Sequence, residues 1–330
     1  MKKLITSILI GATIIGCTKD TEVPVATTDV YVVGTENNGI FNEGKIWKNG
    51  VATSLSNGGG EVSPSSVFVL GQDVYVAGTA TTGGNFAKIW KNGVVTNLTD
   101  STVSAWAYSI FVSGQNVYVA VNKTGAKIWK NGVFTDLTDG TYGTLASSVI
   151  VSGADVFVVG TSRASKNIAT IWKNGVATHL TDGTQEAEAR SVFVSGQDVY
   201  VAGIESDAGR MLIAKIWKNG VGMSLTDGST NDQANSVFVS GNDVYVAGYQ
   251  SLDIGYKAML WKNGVATDLI DSTGDTLAYV NSVYVSGQDV YAVGVTVDAG
   301  ISIGKLWKNG VVVLTGNDLS TFTSVFVNTY

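Results

Sequence analysis

The stretch "SVFVSGNDVYVAGYQSLDIGYKAMLWKNGVATDLIDS", Ser236–Ser272, decides the fold. It divides into four runs: SVFVS, DVYVAG, KAMLWK and VATDLI. Their Val, Ile, Thr, Tyr and Phe content suits strands. SGND and KNG separate the runs with Gly and Asn-Gly, which accept positive φ, so both predict hairpins. In the first run Val237 and Val239 point one way and Phe238 the other. A strand apolar on both faces needs cover on both faces.

The unit recurs along the chain. WKNG carries Trp47, Trp90, Trp129, Trp172, Trp217, Trp261 and Trp307, and the six intervals average about 43 residues, a spacing of propeller blades. These tryptophans number the repeats 1 to 7 and are expected to fill the gaps between neighbouring sheets. The array starts at DVYVVG (Asp29–Gly34), halfway through a unit, and ends at SVFVNTY (Ser324–Tyr330), the missing part. An open array would expose sheet edges and need polar caps. The two partial units complement each other instead. The expected fold is therefore all-β: a seven-bladed β-propeller of four-stranded antiparallel blades, the ring closed by the N- and C-terminal strands. Over 29–330 the layout resembles kelch and YVTN-type propellers, "SVFVSGQDVYVAG" matching their inner strand, turn and second strand. The kelch double glycine is absent. The resemblance implies blade architecture, with SVFV innermost, and no functional residues.

The N-terminus reads as a separate object. "MKKLITSILIGATIIGC" has two lysines and an apolar run from Leu4 to Ile15. That run is short for a membrane span and has the form of a secretory signal. It ends in IIGC with the only cysteine, Cys17, and so resembles the lipobox of bacterial lipoproteins. The resemblance implies a signal peptide over 1–16, a lipidated Cys17 and flexible tether over 17–28, and the propeller over 29–330. It also implies an outer-membrane lipoprotein of a Gram-negative cell envelope, periplasmic or surface-exposed, anchored without a spanning helix.

Composition narrows the function. The net charge of −6 does not suggest a nucleic-acid partner. One His and one Cys leave no material for a His/Cys metal cluster or a disulfide. No phosphate-binding, dinucleotide, nucleophile-elbow or zinc-protease motif is present, so no cofactor is expected. His179 takes a polar, solvent-facing strand position, and Asp139, Asp182 and Asp227 of LTDG read as Asx-turn formers.

Variation is confined to one end. SGQD and KNG share one end of the sheets and are nearly constant. The connections after DVYVAG and before SVFV share the other end, and both vary. Loops on a rigid scaffold are where binding usually resides. The 11-residue tether spans about 36–40 Å at most, which turns the constant end toward the membrane. There the WKNG lysines alternate with the DVYV aspartates and Asn116, suggesting mutual pairing; a basic ring on phospholipid headgroups is the alternative.

Trp106 is the only tryptophan outside WKNG. Tyr108, Tyr142, Tyr249, Tyr256 and Tyr279 lie in or beside variable loops. Directly before the SVFV serine stand Ser65, Tyr108, Ser147, Arg190, Asn235, Asn281 and Thr323. If SVFV is innermost, these ring a channel mouth. Aromatic rings stack on sugars or anchor proteins, and Arg is a frequent anchor. The expected ligand-binding residues are Trp106, Tyr108, Arg190, Tyr249, Tyr279, Asn235 and Asn281. The expected function is a monomeric, non-catalytic, membrane-anchored module that binds a glycan or protein on its variable face. A structural or assembly subunit of an outer-membrane complex is the alternative. A polysaccharide-acting enzyme would need a carboxylate pair among Glu186, Glu188, Asp207, Asp232 and Asp253.

Overall fold

A computed structural model describes residues 27–56, 59–100, 102–138, 143–269 and 277–330. The leader, Cys17 and the tether as far as residue 26 lie outside these residues, as do Asp139 and Tyr142. The described chain is all-β, with 28 strands and no helix. Five sheets have four strands and one has eight. Repeat 6 shows the plan: Gln233–Ser240, Asp243–Ser251, Tyr256–Lys262 and Val265–Asp268 pair antiparallel in chain order. The eight-stranded sheet joins repeats 6 and 7 through one parallel bridge, Tyr256 to Leu277. In repeat 1 the first strand is supplied from the other end of the chain. Ser320–Thr329 pairs antiparallel with Thr28–Asn37, and Thr27 and Tyr330 exchange backbone hydrogen bonds of 2.9 and 3.0 Å.

Asn-Gly makes the WKNG hairpin as its chemistry predicts: Asn49 and Gly50 have φ of 50° and 83°, and the other copies repeat this. The WKNG tryptophans are all buried. Each packs on the sheet of the preceding repeat: Trp90 on Tyr31, Val33 and Leu55, and so on to Trp307 on Tyr245, Ala247 and Ala258. Trp47 of repeat 1 lies with Tyr291, Val293 and Leu306 of repeat 7.

First strands lie beside first strands. Each SVFV serine accepts a hydrogen bond from the next repeat's backbone, seven bonds of 3.1–3.4 Å that include Val67 N to Ser324 Oγ and Val325 N to Ser282 Oγ. Two residues on, Phe326, Phe68 and Phe111 form one chain of tilted ring contacts, and Phe193, Phe238, Tyr284 and Phe326 another, with centroids 4.6–5.0 Å apart. Repeat 4 has Ile150 at this position. Burial pushes the Tyr284 hydroxyl up to about 12.

Candidate functional site

The first strands begin before SVFV. Trp106, Tyr108, Arg190, Asn235, Tyr279 and Asn281 are consequently strand residues, where the sequence placed them in or beside loops. A β-bulge is the cause. In every repeat the register shifts at the residue directly before the serine: Ser65, Tyr108, Ser147, Arg190, Asn235, Asn281 and Thr323. The extra residue leaves the ladder and is re-aimed.

The second strand makes room for the bulge. A side-chain carbon on Gly248 of DVYVAG would collide with the Gln233 carbonyl oxygen, and the same holds for Gly34, Gly160, Gly203 and Gly294 against the same strand position. Repeat 3 departs from this rule. It has Val121 instead of glycine, and its ladder ends at Trp106 opposite Asn122. Buried Asn122 then clasps repeat 4, accepting from Ala146 N at 2.8 Å and donating to Ala146 O at 3.4 Å.

Two rows of side chains lie at the variable end of the first strands, a surface called the mouth below. The bulge residues make one. The residues two positions earlier make the other: Ser63, Trp106, Leu145, Glu188, Gln233, Tyr279 and Thr321. Tyr249 stands on the second strand opposite Gln233, its ring 4.7 Å from that of Tyr256. Arg190, Asn235 and Tyr249 are thus brought together. Trp106 and Tyr108 belong to repeat 3, separated from Arg190 by repeat 4.

The two sectors differ in character. In repeats 5 to 1 the bulge side chains tie each repeat to the next. Arg190 donates to Glu188 Oε2 at 3.0 and 3.3 Å, to Asn235 Oδ1 at 2.8 Å and to Gln233 Oε1. Asn235 donates to Val280 O and Asn281 to Phe322 O, each at 2.8 Å, and Thr323 to Pro64 O at 2.8 Å. In repeats 3 and 4 the mouth has an apolar lip: Trp106 is 40% exposed, Tyr108 43% and Leu145 46%. Sequence reasoning missed Leu145 and Gln233. Their signal is positional, three residues before the serine, and it is readable only once the bulge is known.

Four of the five candidate carboxylates have structural partners; Asp253 instead lines a shallow surface pocket with Leu252 and Ile254. Glu186 accepts from Asn167 N at 2.9 Å, Glu188 pairs with Arg190, and Asp207 accepts from Met211 N at 2.8 Å. Asp232 is fully buried and accepts from Thr230 Oγ1 at 2.8 Å and Ser251 N at 3.0 Å, while its other oxygen has no partner among the described residues. Asp182 and Asp227 each accept from a backbone N–H two residues on, as Asx turns do. His179 ends the fourth strand of repeat 4, its Nδ1 3.1 Å from Thr170 Oγ1 on the third.

The constant end is built of one repeated knot. Lys48 pairs with Asp29 at 2.7 Å, and Asn49 bridges Asp29 Oδ1 and Val30 N. Lys91, Lys173, Lys218, Lys262 and Lys308 make the same 2.7 Å pair. The lysine hydrogen bond holds Asp29, Asp73, Asp155, Asp198, Asp243 and Asp289 below the usual carboxylate range. In repeat 3 Asn116 replaces the aspartate, and Lys130 sits 5.0 Å from the Tyr118 ring. Apolar clefts open here between adjacent sheets. One, of about 610 Å³, includes Val221, Met223 and Val244. The valine after each KNG is 64–75% exposed, from Val51 to Val311. The chain matches no family model and no curated protein, so the functional reading rests on the two ends of these sheets.

Proposed function

We propose that this chain is a lipid-anchored, seven-bladed β-propeller that binds a glycan or protein partner at the mouth of its inner strands, without catalysis. The eight-stranded sheet reads as two blades sharing one bridge, which makes seven. The pairing of the first and last strands, the seven serine bonds and the packing of Trp47 on repeat 7 support a closed ring. One observation carries the binding reading: the mouth unites an exposed Trp–Tyr–Leu lip with a preset Arg–Gln–Asn group on a rigid frame. The anchor rests on the leader and Cys17. Cys17→Ser should release the protein from membranes with its melting curve unchanged; retention on membranes after a high-salt wash would exclude Cys17 as the main anchor.

The test of the binding site compares the two ends. The full chain, in detergent, is applied to a glycan array and used to capture envelope proteins. Trp106→Ala or Arg190→Ala should weaken capture at least about tenfold, the size of a buried anchor's loss. Reversing Lys48, Lys91 and Lys130 to Glu should leave it nearly intact. A second reading, an assembly subunit, is favoured by the seven exposed valines and the inter-sheet clefts of the constant end. Binding lost from the lysine variants and kept in the mouth variants would select it.

A further inference from the structure

We infer that the ligand of the mouth is an uncharged saccharide, laid across repeats 3 to 6 with a sugar face on Trp106 and Tyr108; this rests on the mouth being the binding site. The state of Arg190 carries the argument. A guanidinium has five N–H donors, and its fork suits a carboxylate or phosphate. Here Nε and Nη2 already address Glu188, and Nη1 addresses Gln233 and Asn235. Four of the five donor positions face the protein. An anionic ligand would have to displace Glu188, whose carboxylate is held on the same strand two residues away. Arg190 therefore offers an anion no free bidentate fork.

The remaining chemistry suits hydroxyls. Glu188 and Gln233 oxygens retain acceptor capacity, the Asn and Gln amides are both donors and acceptors, and a sugar hydroxyl is both as well. Beside this group lies the lip of Trp106, Tyr108 and Leu145, whose exposed faces match the C–H face of a pyranose ring. The lip is fixed before a ligand arrives, because Asn122 ties repeat 3 to the Ala146 backbone of repeat 4. A preset platform loses little entropy on binding.

Trp106 supplies its own readout, since the seven WKNG tryptophans are at most 8% exposed and Trp106 is 40% exposed. Acrylamide quenching of the full chain thus reports mainly the lip. The protein, in a detergent without a sugar headgroup, is titrated with neutral hexasaccharides of glucose, xylose, mannose and N-acetylglucosamine, and with hexagalacturonate. At least one neutral sugar should bind saturably by calorimetry and shield Trp106 from acrylamide, while hexagalacturonate does neither. Trp106→Ala and Tyr108→Ala should each weaken that binding about tenfold or more. Trp106→Phe, which keeps a stacking face, should restore it to within about threefold. Binding of hexagalacturonate lost in Arg190→Met, with no neutral sugar bound, would overturn the uncharged ligand and leave the mouth as the site. Sugar binding that survives Trp106→Ala and Tyr108→Ala but fails in the Lys48, Lys91 and Lys130 reversals would overturn the site itself. No hexasaccharide binding at all would overturn the saccharide.

Discussion

At the constant end, Lys48, Asn49, Asp29 and Tyr31 contact one another inside their own repeat, and the other copies follow the same plan, with Asn116 in the aspartate position of repeat 3 and Phe157 in the tyrosine position of repeat 4. At the mouth, Arg190, Asn235, Asn281 and Thr323 reach across to the next repeat. A self-contained knot can be copied without reference to its neighbour. The serine bonds and tryptophan packing also join repeats and stay constant, because they meet backbone or repeated residues; the mouth side chains must match what a particular neighbour presents, and there the copies diverge. Sameness at one end and difference at the other are thus two bonding schemes on a single frame.

Both schemes hang on the seam between the two ends of the chain, so breaking it is the harshest test. Deleting Ser324–Tyr330 removes Phe326 from two ring contacts and Val325 and Val327 from the core shared by repeats 7 and 1. It also strips Thr28–Val33 of their partner strand on that side. Apolar faces and a sheet edge would both meet water. The expected result is aggregation or a melting temperature lower by more than about 10 °C, the scale of several lost core side chains. A truncated chain that melts like the parent would mean the seam is not structural.

Two tryptophans isolate the next level. Trp90 is buried between repeats 1 and 2, with Nε1 donating to Leu55 O at 3.1 Å. Trp90→Ala should cost about 3–5 kcal/mol. Trp106→Ala should change stability by less than about 1 kcal/mol, as at an exposed position. Urea unfolding of both variants checks this. Equal losses would mean that Trp106 is a core residue and the lip a packing feature.

Much of this frame was legible. Asn-Gly turns, the period and the unfinished first repeat follow from the chain alone, because hairpins and period-2 alternation are local. The mouth was only half legible. Trp106, Tyr108 and Arg190 stand out as departures from a repeat, yet their place in strands depends on a register shift, and register belongs to a pair of strands. The signal lay in the partner strand: an isolated glycine such as Gly248 inside DVYVAG marks a bulge or a close backbone approach. Gly248→Ala tests this reading. The added carbon would meet the Gln233 carbonyl, push the first strand away and cost about 1–3 kcal/mol. It should also loosen Arg190 from Gln233 and Asn235. A variant as stable as the parent, with Arg190 unmoved, would show that the bulge does not need the glycine.

The smallest effect sharpens the comparison most, because it asks whether a constant-end knot is independent of its neighbours. Repeat 3 has Asn116 where the other repeats have aspartate, so Lys130 has the Tyr118 ring beside it but no aspartate at that position. Asn116→Asp should install the missing pair without disturbing the turn, since Asn131 Nδ2 already donates to Asn116 Oδ1 at 2.9 Å and would donate to a carboxylate equally well. One exposed pair is a small gain, about 1 °C in melting temperature. Its pH dependence has a definite sign. The six existing aspartates are held below their ordinary value by the lysine. A carboxylate depressed on folding stabilises above its unfolded value, near pH 4, and loses that contribution as pH falls through the folded value. The gain from Asn116→Asp should therefore be present at pH 7 and smaller at about pH 3, below the unfolded value, while Asn116→Ala, which removes the acceptor, is destabilising at both. Melting curves at the two pH values decide it. A gain undiminished in acid would come from something other than the ion pair, and a loss at pH 7 would mean that the knots are coupled from repeat to repeat, as the mouth residues are.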